Sequence, residues 1–261
     1  MMKEINPANP PAPLSDAARG EIATLAARQR KANGMLMQAI NFVGGQVEDS
    51  LKLLPGGTRA RVDGVARAAL QQSYDLASKS RGGIWQNIGS DRMHKLVAAV
   101  SGAVGGFGGL PTAVAELPFA TTVIFRAVHH VAAEYGEDPE AAETRLQCLA
   151  VFGAGGPTQA DDGIDVSFIG ARLSISGAAV NGLISKVAPK FATVISQKLA
   201  SQAVPVLGAA AGAGTNYAFV DYYVEMAHVH FGLRRLARTH GDEAVAAEFH
   251  RCLAAAKLTQ T

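Results

Sequence analysis

An all-α fold is the prediction for this chain: a Gly/Ala-rich helical bundle with two internally repeated helical segments. Three observations carry it. Apolar residues recur at steps of three and four, as Leu36, Ile40, Val43, Val47 and Leu51 do. No alternating run reaches a convincing strand length, VSFIGARLSISG being the nearest approach. One segment also occurs twice, about 105 residues apart, each copy a small-residue apolar run leading into an amphipathic helix with a charged end. Aligning Gly136 with Gly241 sets Glu116 opposite Asp221 and Gly109 opposite Gly214, and brings Cys148 within one residue of the register of Cys252. The copies cover about residues 100–152 and 204–257.

The elements follow in chain order. Residues 1–17 contain four prolines and few apolar side chains, which predicts a disordered leader ahead of a single helical domain over 18–261. Ser15-Asp16 supplies an N-cap for the first helix, and Pro55-Gly56-Gly57 ends the amphipathic stretch from Met35 to Leu54. Thr58 opens a second helix running to about Ser80; Trp85 lies in a Gly-rich turn region, and another helix should begin after Ser90-Asp91. Pro111 and Pro118 should break or bend the first copy. Asp138-Pro139 predicts a helix start and Gly153 to Gly156 a stop. From Asp165 to Leu207 the chain is amphipathic, interrupted at Pro189, with Arg172, Lys186, Lys190 and Lys198 as its cations and no acid after Asp165.

Composition bounds the rest. Aromatics are 6% of the 261 residues, so close approach of small side chains is expected to dominate the packing. The net charge is +2 and its cations are scattered, which gives no footprint for nucleic acid. Cys148 and Cys252 match no zinc or redox spacing and read as two buried thiols in a reducing compartment. The N-terminus lacks an apolar secretory core, so a cytoplasmic location is expected. Residues 97–115 and 203–220 are charge-free, but Gly, Ser, Thr and Pro in the first, Asn216 in the second, and the closing acids Glu116 and Asp221 favour buried or interfacial helices over membrane spans.

The Gly-rich runs, 102–109 and 208–214, lack the following Lys-Ser or Lys-Thr and the preceding strand of a nucleotide loop; their spacing of four suits close helix contact. Glu116 and Asp221 sit among uncharged residues, with Arg126 and Lys198 as possible partners, and read as structural ion pairs, as an exposed helix face or as a shared polar site where the copies meet. His129-His130 and His228-x-His230 point different ways on a helix; Glu225-x-x-His228 resembles half of a di-iron motif, but Ala120 stands at the matching place in the first copy, so no metal or other cofactor is expected. Lysines interleaved with Ile175, Val180, Leu183, Ile184, Val187, Phe191, Val194 and Ile195 fit an interfacial membrane helix or a core helix with lysines turned outward.

Four segments, NFVGGQVEDSLKLLP, GGLPTAVAELPFATTVIFR, EDPEAAETRLQCLAVFGAGG and SQKLASQAVPVLGAAAGAGTNYAFVDYYVEMAHVHFGLRRL, together resemble the EcsC protein family of bacteria. The likeness runs from about Leu25 to the C-terminus, with Ala-Glu-Leu-Pro and Gln-Ala-Val-Pro-Val-x-Gly its most specific parts. It implies a helical cytoplasmic or membrane-associated protein and supplies no reaction, since the family's activity is not established; some members lie beside genes for an ABC transporter linked to protein secretion. It places a polar signature on Glu116, Arg126, Lys198, Gln202, Asn216, Asp221, His230 and Arg234, and an acidic patch on Asp161 and Asp162.

The expectation is therefore a protein peripheral on the inner membrane, binding lipid or a membrane protein complex as a lipid-binding or transport and secretion accessory module. The alternatives are a hydrolase using the polar cluster between the copies and a purely structural protein.

Overall fold

The computed structural model describes residues 12–44, 58–79, 110–154, 177–202 and 208–258. Among the described residues the fold is seven helices with no strand: α1 Asp16–Gly44, α2 Thr58–Lys79, α3 Leu110–Glu134, α4 Ala142–Val151, α5 Gly177–Gln202, α6 Gly208–His240 and α7 Asp242–Leu258. The all-α prediction holds. Expectations for residues 1–11, Pro55-Gly56-Gly57, Trp85, Ser90-Asp91, the Gly-rich run 102–109, Asp161, Asp162 and residues 165–176 fall outside the described residues.

Local signals explain most of the boundaries. Ser15 caps α1, its hydroxyl accepting the Ala18 N–H at 3.2 Å. Just before it, the Ala12 N–H donates to the Thr239 carbonyl at 3.1 Å, and His240 Nδ1–H reaches the Ala12 and Pro13 carbonyls, so residues 12–13 lie against the end of α6. Asp138 begins a turn instead of a helix: its carboxylate accepts the Glu140 N–H at 2.9 Å and its carbonyl the Ala141 N–H, which delays α4 to Ala142.

Neither interior proline ends its helix. Pro118 lies within α3 and Pro189 within α5, so the helix continues through each and the interruption expected at Pro189 does not occur. Each removes one N–H, but Pro189 faces solvent, where water can satisfy the freed Ser185 carbonyl. Threonine one turn on donates back to each proline carbonyl, Thr122 at 2.8 Å and Thr193 at 3.0 Å.

α6 is the axis of the bundle. From Phe219 to Arg234 every residue is buried except Glu225, which is partly buried, so this helix is enclosed where the sequence pattern predicts an amphipathic one. α1 packs along it most extensively and runs antiparallel, pairing Glu21 with Arg235 and Arg28 with Glu225. At Gly232 an added Cβ would stand 2.9 Å from Leu25 Cδ1, so the Leu25 side chain lies in the space that glycine leaves.

α3 runs the same way as α6: Tyr135 meets His228, while Phe125, ten residues earlier, shares Phe152 with Tyr223. Phe152, just after α4, is the hub of the core. Its ring centroid lies 5.1 Å from both Phe191 and Tyr223 and 6.2 Å from Phe125. Four of the few aromatics, Phe125, Phe152, Phe191 and Tyr223, thus meet at the centre of a packing that small side chains were expected to dominate. α2 lies across α3 and α5, and α7 closes over α1 and α6.

Gly136 and Gly241 end α3 and α6 with φ of 78° and 83°. At the first, the Glu137 N–H bonds the Ala132 carbonyl and the Gly136 N–H the Ala133 carbonyl, a Schellman motif; at the second, the Gly241 N–H bonds the Ala237 carbonyl. Nothing lies within 4 Å of a Cβ at Gly136, so a substitution there tests backbone strain alone. Gly136→Ala is expected to lower the unfolding free energy by about 1–2 kcal/mol in chemical denaturation, the cost of a left-handed residue bearing a Cβ.

Candidate functional site

The fold divides the residues expected to form one polar cluster. Glu116 lies near the start of α3, Asn216 and Asp221 in the first half of α6, and Lys198 and Gln202 at the end of α5. Five residues, 203–207, join Gln202 to Gly208, so these helix ends are within about 20 Å of each other. Asp221 is buried; the side chains of Glu116, Lys198, Gln202 and Asn216 lie outside the described set. His230 and Arg234 are elsewhere, His230 about 13.5 Å further along α6 than Asp221. Arg126 is halfway along α3 and partly buried, and that burial lowers its pKa.

The later half of α6 carries a ladder of matched polar groups. His230 Nε2–H donates to Gln147 Oε1 at 2.8 Å, both side chains being buried. Arg234 spans Glu137, at 3.0 Å from Nε, and Glu143; Arg238 also reaches Glu137. On the opposite side Arg28 binds Glu225 through both Nε and Nη2, the latter at 3.2 Å. His228 lies edge-on to Tyr135, and the Arg235 guanidinium sits 5.3 Å from the same ring. Glu225 and His228, the two residues of the half di-iron pattern, are thus committed to α1 and the end of α3. Among the described residues no group of three or more His, Cys, Asp or Glu is placed to hold a metal.

A second polar region lies where α2, α3 and α4 meet. His129 Nε2–H donates to the Pro139 carbonyl at 2.9 Å. Arg145 Nη1 donates to the Glu140 carbonyl at 3.0 Å, and its guanidinium carbon is 6.0 Å from the centroid of the Tyr74 ring. Arg145 Nε is buried with no hydrogen-bond partner. Burial, with the charges of Arg145 and Arg126, holds the His129 imidazole below its ordinary pKa, against the raising effects of the Pro139 carbonyl and Glu140. Arg145 and Tyr74 carry no sequence signal, because the fold brings them together across 71 positions of chain.

Two expectations about surface and reactivity change. The apolar residues of α5 from Val180 to Ile195 are buried in the core while Lys186 and Lys190 are exposed, so α5 is a core helix with lysines outward and its apolar side is not free for a bilayer. No described helix is long and apolar enough to cross a membrane. Both cysteines are free thiols, but only Cys148 is buried, its thiol pushed well up chiefly by desolvation; Cys252 is partly exposed.

Breaking the buried Arg234–Glu137 pair is the sharpest stability test, because Glu137 would keep only the more exposed Arg238. Arg234→Met is expected to cost about 3–5 kcal/mol in equilibrium unfolding, with part of the loss recovered in the Arg234→Met/Glu137→Gln double variant. For His129, the folded chain holds the proton less tightly than the unfolded chain does. Its contribution is therefore complete above the ordinary value of 6.5 and is lost as pH falls below that toward the lowered value. His129→Gln should flatten this acid-side decline in the unfolding free energy.

Searches among curated proteins and among solved structures find no match. A protein-family comparison matches the EcsC protein family over residues 35–236, from the second half of α1 through most of α6. With more than half of its length matched, the chain belongs to the EcsC protein family.

Proposed function

We propose that this protein is a membrane-associated helical module that docks peripherally on the inner face of the cytoplasmic membrane, binding lipid and serving as a transport or secretion accessory. The observation that carries the reading is an exposed apolar end. Met35, Phe119 and Tyr217 are 43%, 44% and 44% exposed. Carrying the Arg28–Glu225 register seven residues along α1 sets Met35 level with Ala218, beside Tyr217. Phe119 is near the start of α3, at the same end because α3 and α6 run together. Leu76, 39% exposed, is one turn from Ser73, whose hydroxyl meets Thr122, itself one turn from Phe119. Large apolar groups gathered on one exposed face mark a surface that leaves water.

Charge supports the same partner: α5 ends in this region, carries Lys186, Lys190 and Lys198, and contains no acid. The duplication belongs to the same reading. Two units, each a long helix closed by a left-handed glycine and followed by a shorter helix, are taken as copies of one ancestral element.

Sedimentation with anionic liposomes at low salt tests the proposal. The protein is expected in the pellet, and a Phe119→Ser/Tyr217→Ser variant, altered at exposed positions only, should bind roughly a hundredfold more weakly. Protein left in the supernatant at low salt would count against membrane docking.

A further inference from the structure

We propose that the junction where α2, α3 and α4 meet binds a phosphate-class anion, held by Arg145, Arg126 and His129. The inference does not depend on membrane docking: His129 is ten residues, about 15 Å, along α3 from Phe119.

Arg145 sets the geometry. Its Nη1 is fixed on the Glu140 carbonyl and its guanidinium is placed against Tyr74, so the fork is held in one orientation. The Nε–H is left buried and unmatched. A desolvated donor on a charged group is costly to leave unsatisfied. The Nε edge of a guanidinium is one of the edges that grip two oxygens of an oxyanion at once.

The neighbours on α3 have the charge to complete the site. Arg126 stands one turn before His129, and the charges of both arginines act on the His129 imidazole. With Nε2–H committed to the Pro139 carbonyl, His129 Nδ1 is an acceptor when neutral and a second donor when protonated. Two carboxylates belong to the surroundings. Glu140 is exposed and acts on His129 from the turn before α4, and Asp75, beside Tyr74 on α2, accepts the Gln71 amide at 3.1 Å. Two guanidiniums and a protonatable imidazole favour an anion with several oxygens and more than one charge, as a phosphate monoester has, over a single carboxylate.

The anion could be a free phosphate or a lipid phosphate monoester headgroup, and the test separates them. His129 is followed by NMR pH titration with and without inorganic phosphate, and binding is measured by calorimetry. Phosphate is expected to raise the His129 pKa toward or above its ordinary value, with tighter binding at acid pH. Arg145→Gln should weaken binding by about tenfold or more. Arg126→Gln, on a different helix, should weaken it in the same direction and serves if the Arg145 variant does not fold. The Phe119→Ser/Tyr217→Ser variant should respond to phosphate as the parent does, which separates this site from the membrane face. If inorganic phosphate has no effect but phosphatidylcholine vesicles containing phosphatidic acid raise the His129 pKa, and do so through Arg145, the ligand is the headgroup. An unchanged His129 pKa with both probes, or equal binding by the parent and both arginine variants, overturns the proposal.

Discussion

The bundle depends on enclosing α6 on all sides. A helix that carries Asp221, His228, His230 and Arg234 into the interior must have each of these groups matched, because an unpaired buried ion costs several kcal/mol. The neighbours of its later half are arranged to meet that demand. α1 brings Arg28 and Glu21, the turn after α3 brings Tyr135 and Glu137, and α4 brings Glu143 and Gln147. Apolar contact is not directional, whereas these pairs fix how far each neighbour slides along α6 and how it is turned. The short α4 is placed by two of them, His230–Gln147 and Arg234–Glu143, and in turn positions Phe152 at the centre of the aromatic core.

The two ends of the bundle consequently differ in character. Where α3 and α6 finish, left-handed glycines turn the chain sharply and ion pairs tie the turn to the helix behind it. Where those helices begin, large apolar side chains are exposed. One end is held by directional pairs, and the other carries exposed apolar side chains. The α2–α3–α4 junction belongs to neither: its arginines and histidine are partly buried, and one of their donors is unmatched by the protein itself.

Much of the fold is legible in the residues. Ser15 and Thr58 mark helix starts that the structure keeps, and α4 ends at Val151, just before Gly153, as expected; Gly153 stands against Val187, whose Cγ1 would lie 3.0 Å from an added Cβ. The prolines mislead. A missing N–H predicts a break only if the freed carbonyl is left without a partner, and for Pro189 that depends on which side of α5 faces water. Gly153 and Gly232 each stand close to a neighbouring side chain, and the surroundings of the spaced runs 102–109 and 208–214 fall outside the described set.

The sequence by itself determined the helical class, the family, the positions of several caps and the residue types available for polar contacts, because these depend on local periodicity, on backbone preference and on recognisable segments. It did not determine which polar residues meet. Arg234 and Glu137 are 97 residues apart in the chain, and His230 and Gln147 are 83 apart. Acids and bases are plentiful enough that pairing cannot be read from their order. Tertiary packing made that choice: by running α3 parallel and α1 antiparallel to α6, it separated the residues expected to form one cluster, giving some to the later half of α6 and leaving others at the opposite end. It also brought Arg145, which has no distinguishing sequence context, beside His129, because helix direction and rotation are fixed by which faces are buried, and burial is a property of the assembled bundle.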